Sequence, residues 1–222
     1  IVDDCSTDGS LELAQSLAQG TNNIKVVKTP RNSNMPTVLN LGIRSSNGKY
    51  ILPLDADNML APGALQILAN TLDKNRDYDV VYGKIKFVLD DGITPDTRVA
   101  RDGISKWPSD TFSYADQMNH KDQIPSAAMY RREWWAKCGG YRMRCSRLGE
   151  DPDFWCRITT LGARPARVTD AVTLIYRMRD DSRSSTNDEW PWEQWYAPAQ
   201  NFMVGGPIRI HDSRPLISVI VP

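Results

Sequence analysis

Tyr50-Ile51-Leu52-Pro53-Leu54, a mostly apolar run that ends in Asp55-Ala56-Asp57, constrains this chain more than any other stretch. The run is strand-length and does not alternate with polar residues, which predicts a strand buried in a sheet. Two carboxylates at the end of such a strand cannot be left dry and unpaired, because desolvating each costs several kcal/mol. The carboxyl ends of strands are where open α/β sheets bind ligands. A hard divalent cation held together with a diphosphate would satisfy both acids. Asp and Asn are also ordinary turn residues, so a plain polar turn accounts for the same three letters.

The surrounding pattern supports a layered α/β architecture. Ile1 to Asp3 reads as a strand end, followed by the turn Asp4-Cys5-Ser6-Thr7-Asp8-Gly9. Ser10 to Gln19 has helical spacing, with Asp8 or Ser10 available as a cap and Gly20 as the stop. A short strand is predicted over Ile24 to Val27, a helix over Pro36 to Ser46 and a strand over Lys49 to Leu54. Pro62 opens a further helix, with Leu65, Leu68, Ala69 and Leu72 on its apolar face. This alternation predicts a parallel sheet covered by helices.

Beyond it the pattern loosens. A long strand is predicted over Asp79 to Leu89, and an irregular polar stretch over 92–123 suits a flap or acceptor-side loop. Another strand follows over Ile124 to Tyr130. A helix over Glu150 to Leu161 turns Phe154, Trp155, Ile158 and Leu161 inward, and Ala163 to Tyr176 holds one more strand. Asn187 to Met203, rich in Trp, reads as a helix, and Gly205 to Arg214 as a linker.

Composition excludes several classes. The 27 basic and 27 acidic residues cancel, so no whole-chain field draws the protein to nucleic acid. Cys5, Cys138, Cys145 and Cys156 show no zinc-ligand spacing, and free thiols in a reducing compartment are the expectation. That points to a cytoplasmic location, with room for peripheral association at the inner face of a membrane. No apolar stretch is long enough to cross a bilayer. Ile1-Val2 reads as a strand already under way, and Leu216 to Val221 as another strand, which suggests a segment of a longer polypeptide.

Three acidic groups fall at strand ends or helix starts. Asp3-Asp4 precedes a turn whose helix-start amides suit an anion, and a carboxylate there can accept from a base or ribose. Helix capping by Asp8 and Ser10 explains part of that turn but not two consecutive acids ahead of it. Gly149-Glu150-Asp151 stands where the helix dipole by itself favours acids. Upstream, Cys138-Gly139-Gly140-Tyr141 allows a close backbone approach.

In this order, Ile1 to Ser10, Tyr50 to Leu60 with its D-x-D, Gly139-Gly140-Tyr141 and Glu150-Asp151-Pro152-Asp153-Phe154-Trp155 resemble the signature of family-2 glycosyltransferases. The resemblance spans residues 1 to about 185 and implies the GT-A fold, a Rossmann-like, mixed but mostly parallel sheet with helices on both faces. It implies that Asp4, helped by Asp3, contacts the base and ribose of a nucleotide-sugar, with a UDP-sugar as the expected donor. Asp55 would meet ribose or sugar and assist the metal. Asp57 would coordinate Mg²⁺ or Mn²⁺ on the diphosphate. Asp151 would be the general base of an inverting displacement, with Glu150 orienting it or a glycan or lipid-linked acceptor.

The departures from the family pattern matter as well. The family's opening strand is not at the amino end, whereas Ile217 to Pro222 resembles it. The expected organisation is therefore a glycosyltransferase domain over 1–186, a Trp-rich helix and linker over 187–214, and a strand over 215–222. That strand either begins a tandem glycosyltransferase domain or fills the empty slot. Where many relatives carry a His, this chain has Arg179, which with Arg183 is a candidate for the diphosphate. Arg131, Arg132, Lys137, Arg142, Arg144 and Arg147 are assigned to the acceptor side, although a solvated basic face accounts for them too. Trp134-Trp135, Trp190, Trp192 and Trp195 suit core packing better than sugar stacking. Two other readings compete: a metal-dependent nucleotidyltransferase, and a non-catalytic nucleotide-sugar-binding module.

Overall fold

Short apolar runs alternate with amphipathic segments through the first 74 residues, and the fold follows that rhythm. The computed structural model describes residues 1–108, 111–118, 123–143, 149–179 and 217–220. Its first half runs β1 (Val2–Asp3), α1 (Ser10–Ala18), β2 (Val27–Lys28), α2 (Met35–Ser45), β3 (Tyr50–Pro53), β4 (Met59–Leu60) and α3 (Ala64–Lys74). β5 (Val80–Val88), α4 (Tyr114–Met118), β6 (Met129–Arg131), α5 (Arg132–Lys137), α6 (Glu150–Thr160), β7 (Pro165–Arg177) and β8 (Ile217–Ile220) complete it.

Among the described residues there are two sheets, β1-β2 and β4-β7-β5-β6-β3-β8. β1–β2, β5–β7 and β3–β8 pair in parallel, and β3–β6, β4–β7 and β5–β6 antiparallel. The sheet is thus mixed, because β6, between β3 and β5, and β4, at the edge beside β7, run opposite to the other strands. Side chains of adjacent strand residues point to opposite faces, and this divides the core in two. Ile51, Tyr130, Val80 and Tyr82 meet α2, α5 and α6 through Leu39, Ile43, Trp134, Trp135, Phe154 and Trp155. Tyr50, Leu52, Val81 and Met129 meet α3 through Leu68, Ala69 and Leu72. Helices therefore cover both faces, and Trp134 and Trp135 are core residues.

Several expected elements differ in extent. The strand expected over Ile124 to Tyr130 is confined to β6, because Ala128 N donates to Pro125 O and makes a turn there. Leu161 is 44% exposed rather than inward, since α6 has already ended at Thr160. β4, α4 and α5 carry too few residues for periodicity to signal. The expected helix over Asn187 to Met203 lies outside the described residues, as do Cys145, Arg183 and the linker. None of the described helices is long and apolar enough to cross a membrane.

α2 fixes which end of the sheet is which. Its amino end carries Asn34 as cap, whose side chain accepts from Thr37 N. Its carboxyl end is tied to the start of β3 by Arg132, which is buried and donates to Ile43 O and Gly48 O at 2.8 and 2.6 Å. The helix thus runs against β3, and the carboxyl end of β3 lies toward the amino end of α2.

Candidate active site

The Asp3-Asp4 corner is built where β1 ends. Both oxygens of Asp4 accept from Ser33 N, at 3.0 and 2.9 Å, and Oδ1 also accepts from Thr29 Oγ1 at 2.6 Å. Asn32 Nδ2 donates to the Asp4 carbonyl at 3.1 Å. Asp4 therefore locks the loop after β1 onto the loop that leads into α2. Asp3 is differently placed. It is 5% exposed, its Oδ1 accepts from Ser6 N at 3.3 Å, and its Oδ2 is buried with no hydrogen-bond partner. A buried carboxylate oxygen left without a donor is costly and calls for an explanation. The sequence expectation ranked Asp4 first and Asp3 as helper; in the fold Asp4 is committed to the loops and Asp3 keeps the spare acceptor.

Asp55 and Asp57 follow β3 directly, in a turn closed by Asn58 N donating to Asp55 O at 3.0 Å. Asp55 Oδ2 accepts from Asn58 Nδ2 and from Ser126 Oγ, both at 3.3 Å. Asn58, itself buried, accepts on Oδ1 from Arg177 N at 3.1 Å, which ties the turn to the end of β7. Asp57 is half-buried, and its carboxylate makes no hydrogen bond or ion pair among the described residues. Because α2 runs against β3 and its amino end holds Asp4, the Asp3-Asp4 corner and the D-x-D turn share the same rim of the molecule.

Glu150 and Asp151 occupy the first turn of α6. What holds that turn was not evident from the sequence. Asp153, fully buried, pairs with both Arg142 and Arg157, the latter through Nε at 2.8 Å. Arg157 then donates to Cys138 O at 2.9 Å and Gly140 O at 2.7 Å. The same stretch is clamped to α2 by Asn40. Its Oδ1 accepts from Trp135 Nε1 and Tyr141 N, and its Nδ2 donates to Tyr141 O at 2.8 Å. Gly140 sits at φ +84°, and a Cβ there would fall 2.7 Å from Asn40 Oδ1, so Gly140 serves this clamp. Burial, with the Tyr130 phenol and Asp151 nearby, pushes the Tyr141 phenol well above its ordinary range. Tyr141 is thus held against α2 by Asn40, and α2 is the helix whose amino end meets Asp4.

The basic residues assigned to the acceptor side mostly lie elsewhere. Arg131 donates to Leu72 O and Asn75 O, Arg132 grips the start of β3, and Lys137 pairs with Glu133. Arg131 and Lys137 line a cavity of about 580 Å³ with Lys49, Arg76 and Arg164, at the end of the sheet opposite the D-x-D turn. Helix-end carbonyls pair with Arg131, and ion pairs engage Lys49, Lys137 and Arg164. Arg142 belongs to Asp153, and Arg144 and Arg147 lie outside the described residues. Arg179 Nε lies 3.9 Å from Asp90 Oδ1. Its neighbour Arg177 is bonded to the D-x-D turn through Asn58, and its Nε is buried without a hydrogen-bond partner.

Among the described residues no three His, Cys, Asp or Glu side chains converge as a metal cage. The donor set at the D-x-D turn, two carboxylates including the uncommitted Asp57, still fits a hard cation that keeps water and takes its other ligands from a diphosphate.

The glycosyl transferase family 2 description matches residues 1–139, a span that includes Asp3, Asp4, Asp55 and Asp57. EpsE of Bacillus subtilis (strain 168), a glycosyltransferase by name, is 31% identical over 185 residues, 82% of this chain and 62% of that protein. Among solved structures, S. aureus TarS 1-349 in complex with UDP-GlcNAc matches with a TM-score of 0.61 at 20% identity, over 88% of this chain and 53% of that one. The mannosyltransferase PcManGT from Pyrobaculum calidifontis, in complex with GDP-Man and Mn²⁺, matches with a TM-score of 0.54 at 15% identity, over 83% and 49%. These likenesses establish a GT-A-type fold, and the chain spans between about half and two thirds of the length of these relatives. With the family description matching well over half of its residues, this chain belongs to glycosyltransferase family 2.

Proposed function

We propose that this chain transfers a sugar, of the hexosyl class, from a nucleotide-diphosphate-sugar to a hydroxyl acceptor in surface-glycan assembly, with inversion at the anomeric carbon. The observation that carries this reading is the D-x-D turn at the carboxyl end of β3, with Asp57 uncommitted and Asp55 oriented by Asn58 and Ser126. UDP-GlcNAc bound to TarS, and GDP-Man with Mn²⁺ bound to PcManGT, support a nucleotide-sugar donor of this kind.

In this reading Asp3 accepts from the base or ribose, and Asp4 keeps the surrounding loops in place. Asp55 faces ribose or sugar. Asp57 and Asp55 would hold Mg²⁺ or Mn²⁺, which when bound neutralises charge on the departing diphosphate. Asp151 takes the proton of the acceptor hydroxyl as its oxygen attacks the anomeric carbon, and Glu150 orients that hydroxyl. The bond to the diphosphate breaks on the opposite face, so configuration inverts in one displacement. Arg179, with Arg177 at the end of β7, is the candidate for the phosphate oxygens.

The test is nucleoside diphosphate release by the parent protein from a panel of nucleotide-sugars with Mn²⁺. Release in the parent and its loss in both Asp57→Asn and Asp151→Asn is the expected result. Pyrophosphate as the product would instead indicate nucleotidyl transfer, and metal-dependent binding without turnover a binding module.

A further inference from the structure

The last described strand is the farthest in sequence from the site and among the nearest in space. β8 pairs with β3 in parallel over all four of its residues, Tyr50↔Ile217 through Pro53↔Ile220. Leu54 N, one residue before Asp55, donates to Ile220 O at 2.8 Å. Val219 packs with the α3-side core and Ile220, 3% exposed, with the α2-side core. The strand is therefore covered on both faces, which accounts for its nearly unbroken apolar sequence.

Its second border is with the other sheet. β1-β2 and the six-stranded sheet share no ladder pairing among the described residues. They are joined on one face by α2, and Gly42 marks the junction. A Cβ at Gly42 would collide with Ile220 Cγ2 and lie 3.1 Å from Val2 Cγ2. One helix position thus touches the last residue of β8 and the residue before Asp3. The Asp3-Asp4 corner and the D-x-D turn hang from different sheets, and β8 is the strand that stands at their junction.

We propose that β8 is the positioning element of the donor site: its seating between β3 and the α2 junction sets the spacing between Asp3-Asp4 and Asp55-Asp57. This rests on the donor reading above for its functional consequence, though not for its geometry. The occupant of the seat is this chain's own distal segment, recognised by parallel backbone pairing on β3 and by the Ile220 side chain against Gly42.

Two readouts separate the proposal from the reading beneath it. Nitroxide labels introduced as non-natural amino acids at the exposed positions Thr7 and Ala56 report the distance between the two loops by electron–electron dipolar spectroscopy. Binding of UDP and GDP with Mn²⁺ reports the donor site. Ile220→Asp is expected to broaden the Thr7–Ala56 distance distribution and to weaken nucleotide binding by about ten-fold or more, the scale of a site loosened at its support. A peptide of residues 215–222 with flanking lysines, added in trans, is expected to narrow the distribution and restore affinity. Ile220→Ala, which buries no charge, is expected to do the same to a smaller degree and covers the case in which Ile220→Asp does not fold. An unchanged distance distribution in Ile220→Ala overturns the proposal whatever the nucleotide does. A broadened distribution with unchanged affinity also overturns it, because spacing would then not govern the donor site. No nucleotide binding even in the parent defeats the donor reading and leaves the distance measurement to decide the role of β8.

Discussion

Asp153→Asn is the most informative single perturbation of the support behind the candidate base. The substitution keeps the shape of the side chain and removes its charge. In the parent, Asp153 is fully buried, Arg157 is 1% exposed at its side chain, and the two lie 2.8 Å apart. At that separation and an effective dielectric near 20, their attraction is about 6 kcal/mol before desolvation is subtracted. Arg157 cannot shed its proton and cannot reach water without breaking its bonds to Cys138 O and Gly140 O. Removing one partner of such a pair costs about 3–5 kcal/mol, because the remaining charge stays buried without compensation.

For a chain of this size each kcal/mol moves the midpoint by about 2–4 °C, so Asp153→Asn is expected to melt about 10 °C below the parent. Arg142→Gln is the internal control. Arg142 is 20% exposed at its side chain, and without it Asp153 still pairs with Arg157, so the expected loss is about 1 kcal/mol. Thermal and urea unfolding followed by circular dichroism measure both. A loss below about 1 kcal/mol for Asp153→Asn, or equal losses for the two variants, would falsify the argument from buried charge.

Three other outcomes follow from the geometry. Asp3→Asn removes a buried carboxylate oxygen that has no donor, so it is expected to stabilise the ligand-free protein by about 1 kcal/mol while weakening nucleotide binding; calorimetry on both states checks the pair of effects. Gly140→Ala forces a side chain into a left-handed conformation against Asn40 Oδ1 and is expected to cost about 1–3 kcal/mol, read as a lower urea midpoint. Burial raises the phenols of Tyr130 and Tyr141 above the value of about 10 they have when unfolded. Their contribution is therefore complete below pH about 10 and is lost as pH rises toward the folded values, since the native state then holds the more protons. Tyr141→Phe is expected to make that alkaline fall shallower in denaturation curves taken from pH 8 to 12.

What could be read from the sequence divides along a physical line. β3, α2, α3, β5 and α6 were legible because each carries its own periodicity or its own boundary signal, such as Pro62 ahead of α3. The carboxylates Asp3, Asp4, Asp55, Asp57, Glu150 and Asp151 were legible for a related reason: each stands where a local pattern ends, and a charge there is conspicuous. The residues that hold them were not. Asn40 meets Tyr141 across 101 positions, and Ser126 meets Asp55 across 71. An Asn inside an amphipathic helix or a Ser in a loop gives no sign of its partner. Arg131, Arg132 and Arg142 misled for the same reason in reverse. Read along the chain they form a basic cluster, whereas in the fold two of them serve helix-end carbonyls and one serves Asp153.

This division bears on what the site requires. Carboxylates at strand ends are produced by local sequence, but none of the local elements fixes how far one lies from another. That distance is set where β3 meets β8, where Asn58 bonds to β7, and where Asn40 joins α2 to the Gly139–Tyr141 turn. Each joint links segments distant in the chain. A substitution at Asn40 or Asn58 should therefore lower nucleotide affinity in proportion to the hydrogen bonds it deletes, even though neither side chain need touch the ligand. Asn58→Leu is the sharper of the two. It orphans Arg177 N and frees one side of Asp55, so it should weaken Mn²⁺-dependent UDP binding by about ten-fold with a stability loss of only about 1–3 kcal/mol. Unchanged metal-dependent binding in Asn58→Leu would show that the D-x-D turn holds its shape without β7.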